Sequence, residues 1–167
     1  MRNAFTAALA AVVAMGVAHA ADEKKAGCEP PPKQLVTKDL EAGSGKTVQF
    51  RSGALVNYTG WLYDPCAPDH KGEMFDTSAK RQAPFGFIVG AGKVIKGWDE
   101  GLIGMKEHGK RLLVIPPDKA YGEQGAGGGR IPPNATLVFE VEVAGIPFDP
   151  PPPGGKVETS RSEPAKK

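Results

Sequence analysis

The sequence has few side chains of the kinds that supply metal or nucleophilic chemistry. Its 167 residues include only two cysteines, Cys28 and Cys66, and three histidines. The cysteines form no Cys-x-x-Cys motif, and neither His70 nor His108 lies at a metal-ligand spacing. We therefore expect no metal site, no thiol catalysis and no cofactor.

A strong charge imbalance is also lacking. Lys and Arg total 21 against 19 Asp and Glu, a formal net charge of +2, and the basic residues form no run. This pattern argues against nucleic acid or an anionic membrane as a partner. Residues 125–129 are rich in glycine, but no Gly-Lys-Ser or Gly-Lys-Thr follows them, so nucleotide binding is not expected either.

Beyond residue 20 the chain has no long apolar run. Arg2 precedes an apolar stretch at 4–17 and a small-x-small cleavage pattern at 18–20. The stretch is shorter than the roughly 20 residues of a spanning helix, so a signal peptide over 1–20 is favoured over a signal anchor. We expect a secreted, periplasmic protein. Its two cysteines then favour a Cys28–Cys66 disulfide, with two free thiols as the alternative.

The length and composition predict one folded domain between two tails. Residues 21–34 contain a proline run and little that is apolar, so they are predicted to form an extended arm. Residues 35–148 form the domain, and 149–167 form a disordered, proline-rich tail.

Within the domain, period-two patterns predict strands at 47–50, 54–63, 84–90, 110–115 and 136–143. Residues 64–74 are polar and contain Pro and Gly, so we predict a surface loop. One short helix lies within 94–105, and no strand–helix alternation occurs. The prediction is an α+β fold, with a five- to six-stranded antiparallel sheet wrapped around one short helix.

The predicted helix carries two stripes of residues. Trp98, Leu102 and Met105 recur at helical spacing on one side, and glycines at 97, 101 and 104 would let a neighbouring element approach closely. Trp98 stands at the start of the helix, where its ring could close the bottom of a cavity. The alternative is that Trp98 is only a core aromatic residue.

Aromatic residues are placed at the ends or inward faces of several elements. Tyr58 and Tyr121 have hydroxyls that need partners when buried, and Asp76 is a carboxylate among apolar neighbours. An apolar pocket with a few polar groups is typical of a small-ligand or peptide site. The other aromatics of the set are Phe75, Phe85, Phe87, Trp98 and Phe139.

Several motifs together resemble those of the FKBP-type peptidyl-prolyl cis-trans isomerases, in the same order and at similar spacing over about residues 47–147. They are Val-Asn-Tyr-Thr-Gly at 56–60, Phe-Asp at 75–76, Pro-Phe-Gly-Phe at 84–87, Val-Ile-Lys-Gly-Trp at 94–98, Ala-Tyr-Gly at 120–122 and Ile-Pro-Pro-Asn-Ala-Thr-Leu-Val-Phe at 131–139.

The resemblance implies an enzyme that rotates X-Pro bonds in a pocket between helix and sheet, needs no cofactor and acts as a monomer. It implies proline-containing polypeptides as substrates and macrolide inhibitors as further ligands. The catalytic residues it implies are Tyr58, Asp76, Trp98, Tyr121 and Phe139. The substrate-binding residues are Phe75, Arg81, Phe85, Val94, Ile95 and Ile131. The Tyr121 hydroxyl and the Ile95 amide would each hold a bound carbonyl.

Two other functions are compatible with the same sequence. A non-catalytic chaperone or adaptor could hold proline-containing segments in the same pocket. An interaction scaffold could act through the proline-rich arms. An isomerisation assay separates the first from the enzyme, and truncation of the arms tests the second.

Overall fold

The computed structural model describes residues 28–81 and 83–149. The elements are β1 (Val36–Glu41), β2 (Gly53–Tyr63), β3 (Lys71–Thr77), β4 (Phe85–Ile88), α1 (Lys96–Gly101), β5 (Lys110–Ile115) and β6 (Leu137–Gly145). The six strands form one antiparallel sheet in the order β1-β5-β6-β2-β3, and β4 pairs with β2 on the same side as β3.

The main core lies between α1 and one face of the sheet. Trp98, Leu102 and Met105 are buried there, as the helical spacing predicted. The alternation of β6 is also confirmed, because Phe139 and Val141 are buried while Glu140 between them is only partly buried. The outer face has a smaller apolar cluster of Leu112, Val114 and Val138, packed against Trp61 and Tyr63.

The predicted fold class is confirmed, and the strand at 110–115 has the predicted bounds. Two local predictions were wrong, and one strand was missed. Residues 47–50 are not a strand, since only Thr47 makes an isolated bridge, to Lys106, and Phe50 is exposed at a turn. The predicted loop 64–74 ends early because β3 begins at Lys71. Strand β1 was not predicted at all.

Two of the three glycines in the predicted helix segment behave as predicted. A Cβ on Gly97 would lie 2.4 Å from Ile115, and one on Gly101 would lie 2.9 Å from Leu113. These glycines therefore let the helix approach β5 closely. Gly104 has open space around its Cβ position and a φ of +84°, so it serves the turn after the helix.

A disulfide links Cys28 to Cys66 and ties the start of the described chain to the loop before β3. The Glu29 N–H donates to the Pro65 carbonyl at 3.0 Å, and the Tyr63 hydroxyl donates to the Glu29 carbonyl at 3.0 Å. The arm is thus docked on the domain at its cysteine end. In the described ranges, no helix is long and apolar enough to cross a membrane. The predicted signal peptide and nearly all of the predicted tail lie outside them.

Candidate active site

A cavity of about 200 Å³ opens between α1 and the inner face of the sheet. It brings together ten of the eleven residues predicted to act in catalysis or substrate binding, and their individual roles stay predictions. The lining residues are Tyr58, Phe75, Asp76, Arg81, Phe85, Lys93, Val94, Ile95, Trp98, Tyr121 and Phe139.

Trp98 is the aromatic residue around which the others pack. Its ring centroid lies 5.0 Å from that of Tyr58 and 5.3 Å from that of Phe139, and both pairs meet edge to face. Its side chain is 4% exposed, and its indole Nε1 is buried without a hydrogen-bond partner among the described residues. Trp98 therefore belongs to the core and lines the cavity at once, so the two interpretations of its role are compatible.

The wall opposite α1 depends on a position without a side chain. A Cβ on Gly60 would lie 2.6 Å from the ring of Phe139 and 2.7 Å from that of Phe75. These two rings pack edge to face at 5.5 Å. Glycine in β2 thus makes room for the aromatic pair. This packing explains why the Val-Asn-Tyr-Thr-Gly motif ends in glycine.

One edge of the cavity is polar. The Tyr58 hydroxyl donates to Oδ2 of Asp76 at 2.7 Å, and Oδ1 of Asp76 accepts from the Thr77 N–H at 2.9 Å. Nη2 of Arg81 lies 3.9 Å from the same carboxylate, and its guanidinium covers the rings of Tyr58 and Phe85. Burial, followed by the hydrogen bond to Asp76, raises the pKa of Tyr58 to about 12. Its hydroxyl is therefore a neutral donor at ordinary pH.

Sequence reasoning missed two side chains that support Tyr58. The Tyr58 N–H donates to Oγ of Ser78 at 2.8 Å, and the Thr77 hydroxyl donates to the Tyr58 carbonyl at 3.1 Å. Both supporting side chains are buried. Their position directly after the Phe75-Asp76 motif was the available signal, because small hydroxyl residues often bond to nearby backbone.

Asp99, in the first turn of α1, binds the chain segment that precedes the helix. Its two oxygens accept from the N–H groups of Gly90, at 2.7 Å, and Gly92, at 3.0 Å. These bonds order the chain that leads into Val94 and Ile95. The sequence signal was a carboxylate within ten residues of a glycine-rich turn.

The two groups predicted to bind substrate carbonyls are available in the structure. The Ile95 N–H donates no hydrogen bond to any residue of the described ranges, while its carbonyl accepts from the Trp98 N–H at 2.9 Å. Tyr121 is 40% exposed at the rim of the cavity. Partial burial and the Asp76 carboxylate raise the pKa of Tyr121 above its ordinary value. Both groups can therefore donate to a bound carbonyl.

Ile131 is the one predicted site residue that does not line this cavity. It lines an adjoining cavity of about 250 Å³, which shares Phe75, Asp76 and Tyr121 with the first. Lys93 lines the main cavity and was not predicted. Within 28–81 and 83–149, no cluster of three or more His, Cys, Asp or Glu side chains could hold a metal ion.

Comparison with known proteins identifies a family and several relatives. The family model of the FKBP-type peptidyl-prolyl cis-trans isomerase matches residues 41–144. An FK506-binding protein of Neisseria meningitidis serogroup A is 50% identical over 109 residues, which are 65% of this chain and 93% of that protein. FK506-binding protein 1B of Aspergillus fumigatus is 48% identical over 114 residues, 67% of this chain and 93% of that protein.

Two solved structures are also similar to this chain in fold and sequence. The crystal structure of AtFKBP13 superposes with a TM-score of 0.58 at 36% identity, covering 70% of this chain and 95% of that one. FkpA from Escherichia coli superposes with a TM-score of 0.55 at 44% identity, covering 67% of this chain and 47% of that one. With a family match over more than half of its length and a relative of 50% identity, the chain belongs to the FKBP-type peptidyl-prolyl cis-trans isomerases.

Proposed function

We propose that this isomerase acts on exported polypeptides, binding the proline of an X-Pro bond over Trp98 and easing rotation about that bond. The observation that carries the proposal is the aromatic cavity around Trp98 with the Tyr58–Asp76 pair at its edge. The apolar lining favours the proline ring and an apolar residue before it.

The chemistry requires no nucleophile. Rotation about a peptide bond has a barrier of about 18–20 kcal/mol, because the twisted amide loses its resonance. The planar amide is the more polar form, so an apolar cavity disfavours it relative to the twisted form. Any group that binds the twisted amide more tightly than the planar one lowers the barrier.

In this proposal, hydrogen bonds fix the peptide on both sides of the rotating bond. The Ile95 N–H and the Tyr121 hydroxyl donate to substrate carbonyls. Asp76, held by Tyr58 and Thr77, presents its negative charge at the edge of the cavity where the amide rotates. The aromatic walls keep water from the amide nitrogen.

The cellular setting is also a proposal. The sequence pattern of residues 1–20 is typical of a signal peptide, and a Cys28–Cys66 disulfide persists in an oxidising compartment. Both support a periplasmic enzyme that assists the folding of secreted proteins, and we propose that it acts as a monomer. Because relatives are named FK506-binding proteins, the same cavity is proposed to bind macrolides of that type.

The test measures cis–trans exchange of a proline peptide by NMR, with and without the protein. This measurement needs no coupling protease. We expect faster exchange with the wild-type chain and retained peptide binding with slower exchange in Asp76→Asn. Binding without acceleration by the wild-type chain would instead establish the non-catalytic adaptor.

A further inference from the structure

The adjoining cavity lies directly beside the proline site. It is lined by Phe75, Asp76, Tyr121, Ala126, Gly127, Arg130 and Ile131, and the first three of these also line the main cavity. A peptide with its proline over Trp98 therefore reaches the adjoining cavity across these shared residues. Its neighbouring side chains can enter a space of about 250 Å³.

The loop that forms this cavity has a defined shape. Ala126 and Ile131 form an antiparallel bridge, with N–H to carbonyl distances of 3.0 and 3.1 Å in the two directions. Between them the three glycines at 127–129 have φ values of +66°, +66° and +99°, a region that favours glycine. The glycine run noticed in the sequence thus reverses the chain and places Arg130 beside the buried Ile131.

The charge around the two cavities is positive. Arg81, Lys93 and Arg130 are the cations that line them, and Asp76 is the carboxylate. Both oxygens of Asp76 already accept hydrogen bonds from neighbouring protein groups. The acidic residue nearest in sequence to the loop, Glu123, lines a different cavity.

Arg130 has no carboxylate within ion-pair distance in the part of the chain that the structure describes. Its guanidinium presents a planar set of donors that matches a carboxylate. The local excess of positive charge contrasts with the near balance of charges in the whole chain.

We propose that the adjoining cavity is a substrate subsite that binds an acidic side chain close to the isomerised X-Pro bond, with Arg130 as its specificity-determining residue. This rests on the proposed seating of the proline over Trp98. The residue before proline still enters the apolar cavity, and the acidic residue lies at another position of the same peptide.

The experiment uses a peptide series with a common Leu-Pro pair and either Glu or Gln at one of the four surrounding positions. Exchange rates give kcat/KM by NMR, and titrations give the dissociation constant of each peptide. At low salt we expect at least one position where Glu is preferred by about two- to fivefold in both quantities, the size of an exposed ion pair. Added salt should reduce the preference.

Arg130→Gln should remove that preference by lowering kcat/KM for the Glu peptide more than for the Gln peptide at the same position. Lys38→Gln is the matched control, because it removes the same charge from the exposed strand β1 at the opposite edge of the sheet, and it should keep the preference. Equal kcat/KM and equal dissociation constants for the Glu and Gln peptides at all four positions would contradict the subsite. An unchanged preference for Glu over Gln in Arg130→Gln would also contradict it.

An equal loss on all peptides in Arg130→Gln would also overturn it, since Arg130 would then act on the proline site itself. Failure of the isomerase function gives a separate result, in which the wild-type chain accelerates no peptide. In that case the dissociation constants of the Glu and Gln peptides still show whether the subsite prefers an acidic side chain.

Discussion

The Tyr58 hydroxyl lies 2.7 Å from Oδ2 of Asp76, although the two residues are not partners in the β2–β3 pairing. Asp76 is paired with Gly60, two residues further along β2. Tyr58 and Gly60 are two residues apart and therefore lie on the same face of β2, so the Tyr58 side chain reaches Asp76 across a diagonal of the strand pair. The register of β2 against β3 thus brings together the polar edge of the active site.

Replacing Asp76 by Asn tests this polar edge. The variant keeps the shape of the side chain but removes the charge facing Arg81 and the rotating amide. Because hydrogen bonds to charged groups contribute about 1.5–3 kcal/mol, we expect kcat/KM to fall about tenfold or more. The side chain is 47% exposed, so the melting temperature should change little.

Asp39→Asn is the control for that variant. It also removes a carboxylate from an ion pair, with Arg111, but on β1 at the far edge of the sheet. We expect unchanged kcat/KM in the control. Unchanged turnover of several peptides by Asp76→Asn would show that the polar edge has been assigned wrongly.

The raised pKa of Tyr58 predicts a loss of stability at alkaline pH. In the unfolded chain the tyrosine ionises near pH 10, whereas in the folded chain its pKa is about 12. Between these values the unfolded state binds fewer protons than the folded state, so the free energy of unfolding falls as pH rises. The contribution is fully present below pH 10.

Urea unfolding at several pH values between 9 and 12 measures this effect. The free energy of unfolding should fall less steeply with pH in Tyr58→Phe than in the wild type. Tyr63→Phe is the comparison, because the pKa of Tyr63 is also raised, by burial and by Glu29, but by less. Equal slopes in the two variants would contradict the assignment to Tyr58.

The fold was predictable where burial imposes a pattern on the sequence. Strands β2, β5 and β6 are central, so their apolar residues alternate or run continuously. Strands β1 and β3 lie at the two edges of the main sheet path. All of β1 is exposed and β3 has a single buried residue, so neither strand shows such a pattern. Their pairing depends on backbone hydrogen bonds that no side-chain pattern records.

The site was predictable through the aromatic residues and the family motifs, because each aromatic side chain in the cavity belongs to one of those motifs. Ser78 and Asp99 could not be identified in the same way. Both act on backbone N–H groups, at Tyr58, Gly90 and Gly92, and such partners are known only once the chain has been folded.

Ser78 provides the next prediction. Its hydroxyl oxygen accepts from the buried N–H of Tyr58 at 2.8 Å. Ser78→Ala leaves that N–H without a partner, which should lower the free energy of unfolding by about 1–3 kcal/mol. The displaced tyrosine should also lower kcat, and Ser78→Thr should restore both values because it keeps the hydroxyl. Loss of stability with full kcat would show that Ser78 does not position Tyr58.

Trp98 links the core to the active site, so its removal should affect both. Trp98→Ala should lower the free energy of unfolding by about 3–5 kcal/mol, the usual cost of truncating a large buried aromatic residue. Trp98→Leu retains more of the packing and should stay folded, which allows turnover to be measured. We expect reduced kcat/KM in Trp98→Leu. Full activity in this folded variant would show that the ring only fills the core.

The Cys28–Cys66 disulfide gives the last prediction. It closes a sequence separation of 38 residues, which corresponds to about 4 kcal/mol of stabilisation in the chain-entropy treatment, an upper value for an arm docked at one end. The Cys28→Ser, Cys66→Ser double variant should melt at a lower temperature. Its kcat/KM should match the wild type, because neither cysteine lines the active-site cavity.

Intact mass after alkylation under denaturing conditions tests the bond itself. Without prior reduction we expect no alkyl groups, and after reduction we expect two. Two groups without reduction would mean that the thiols are free. Normal melting of the double variant would show that the bond does not stabilise the fold. Loss of turnover in a folded double variant would show that the loop before β3, anchored at Cys66, helps to shape the cavity through the Phe75-Asp76 segment that follows it.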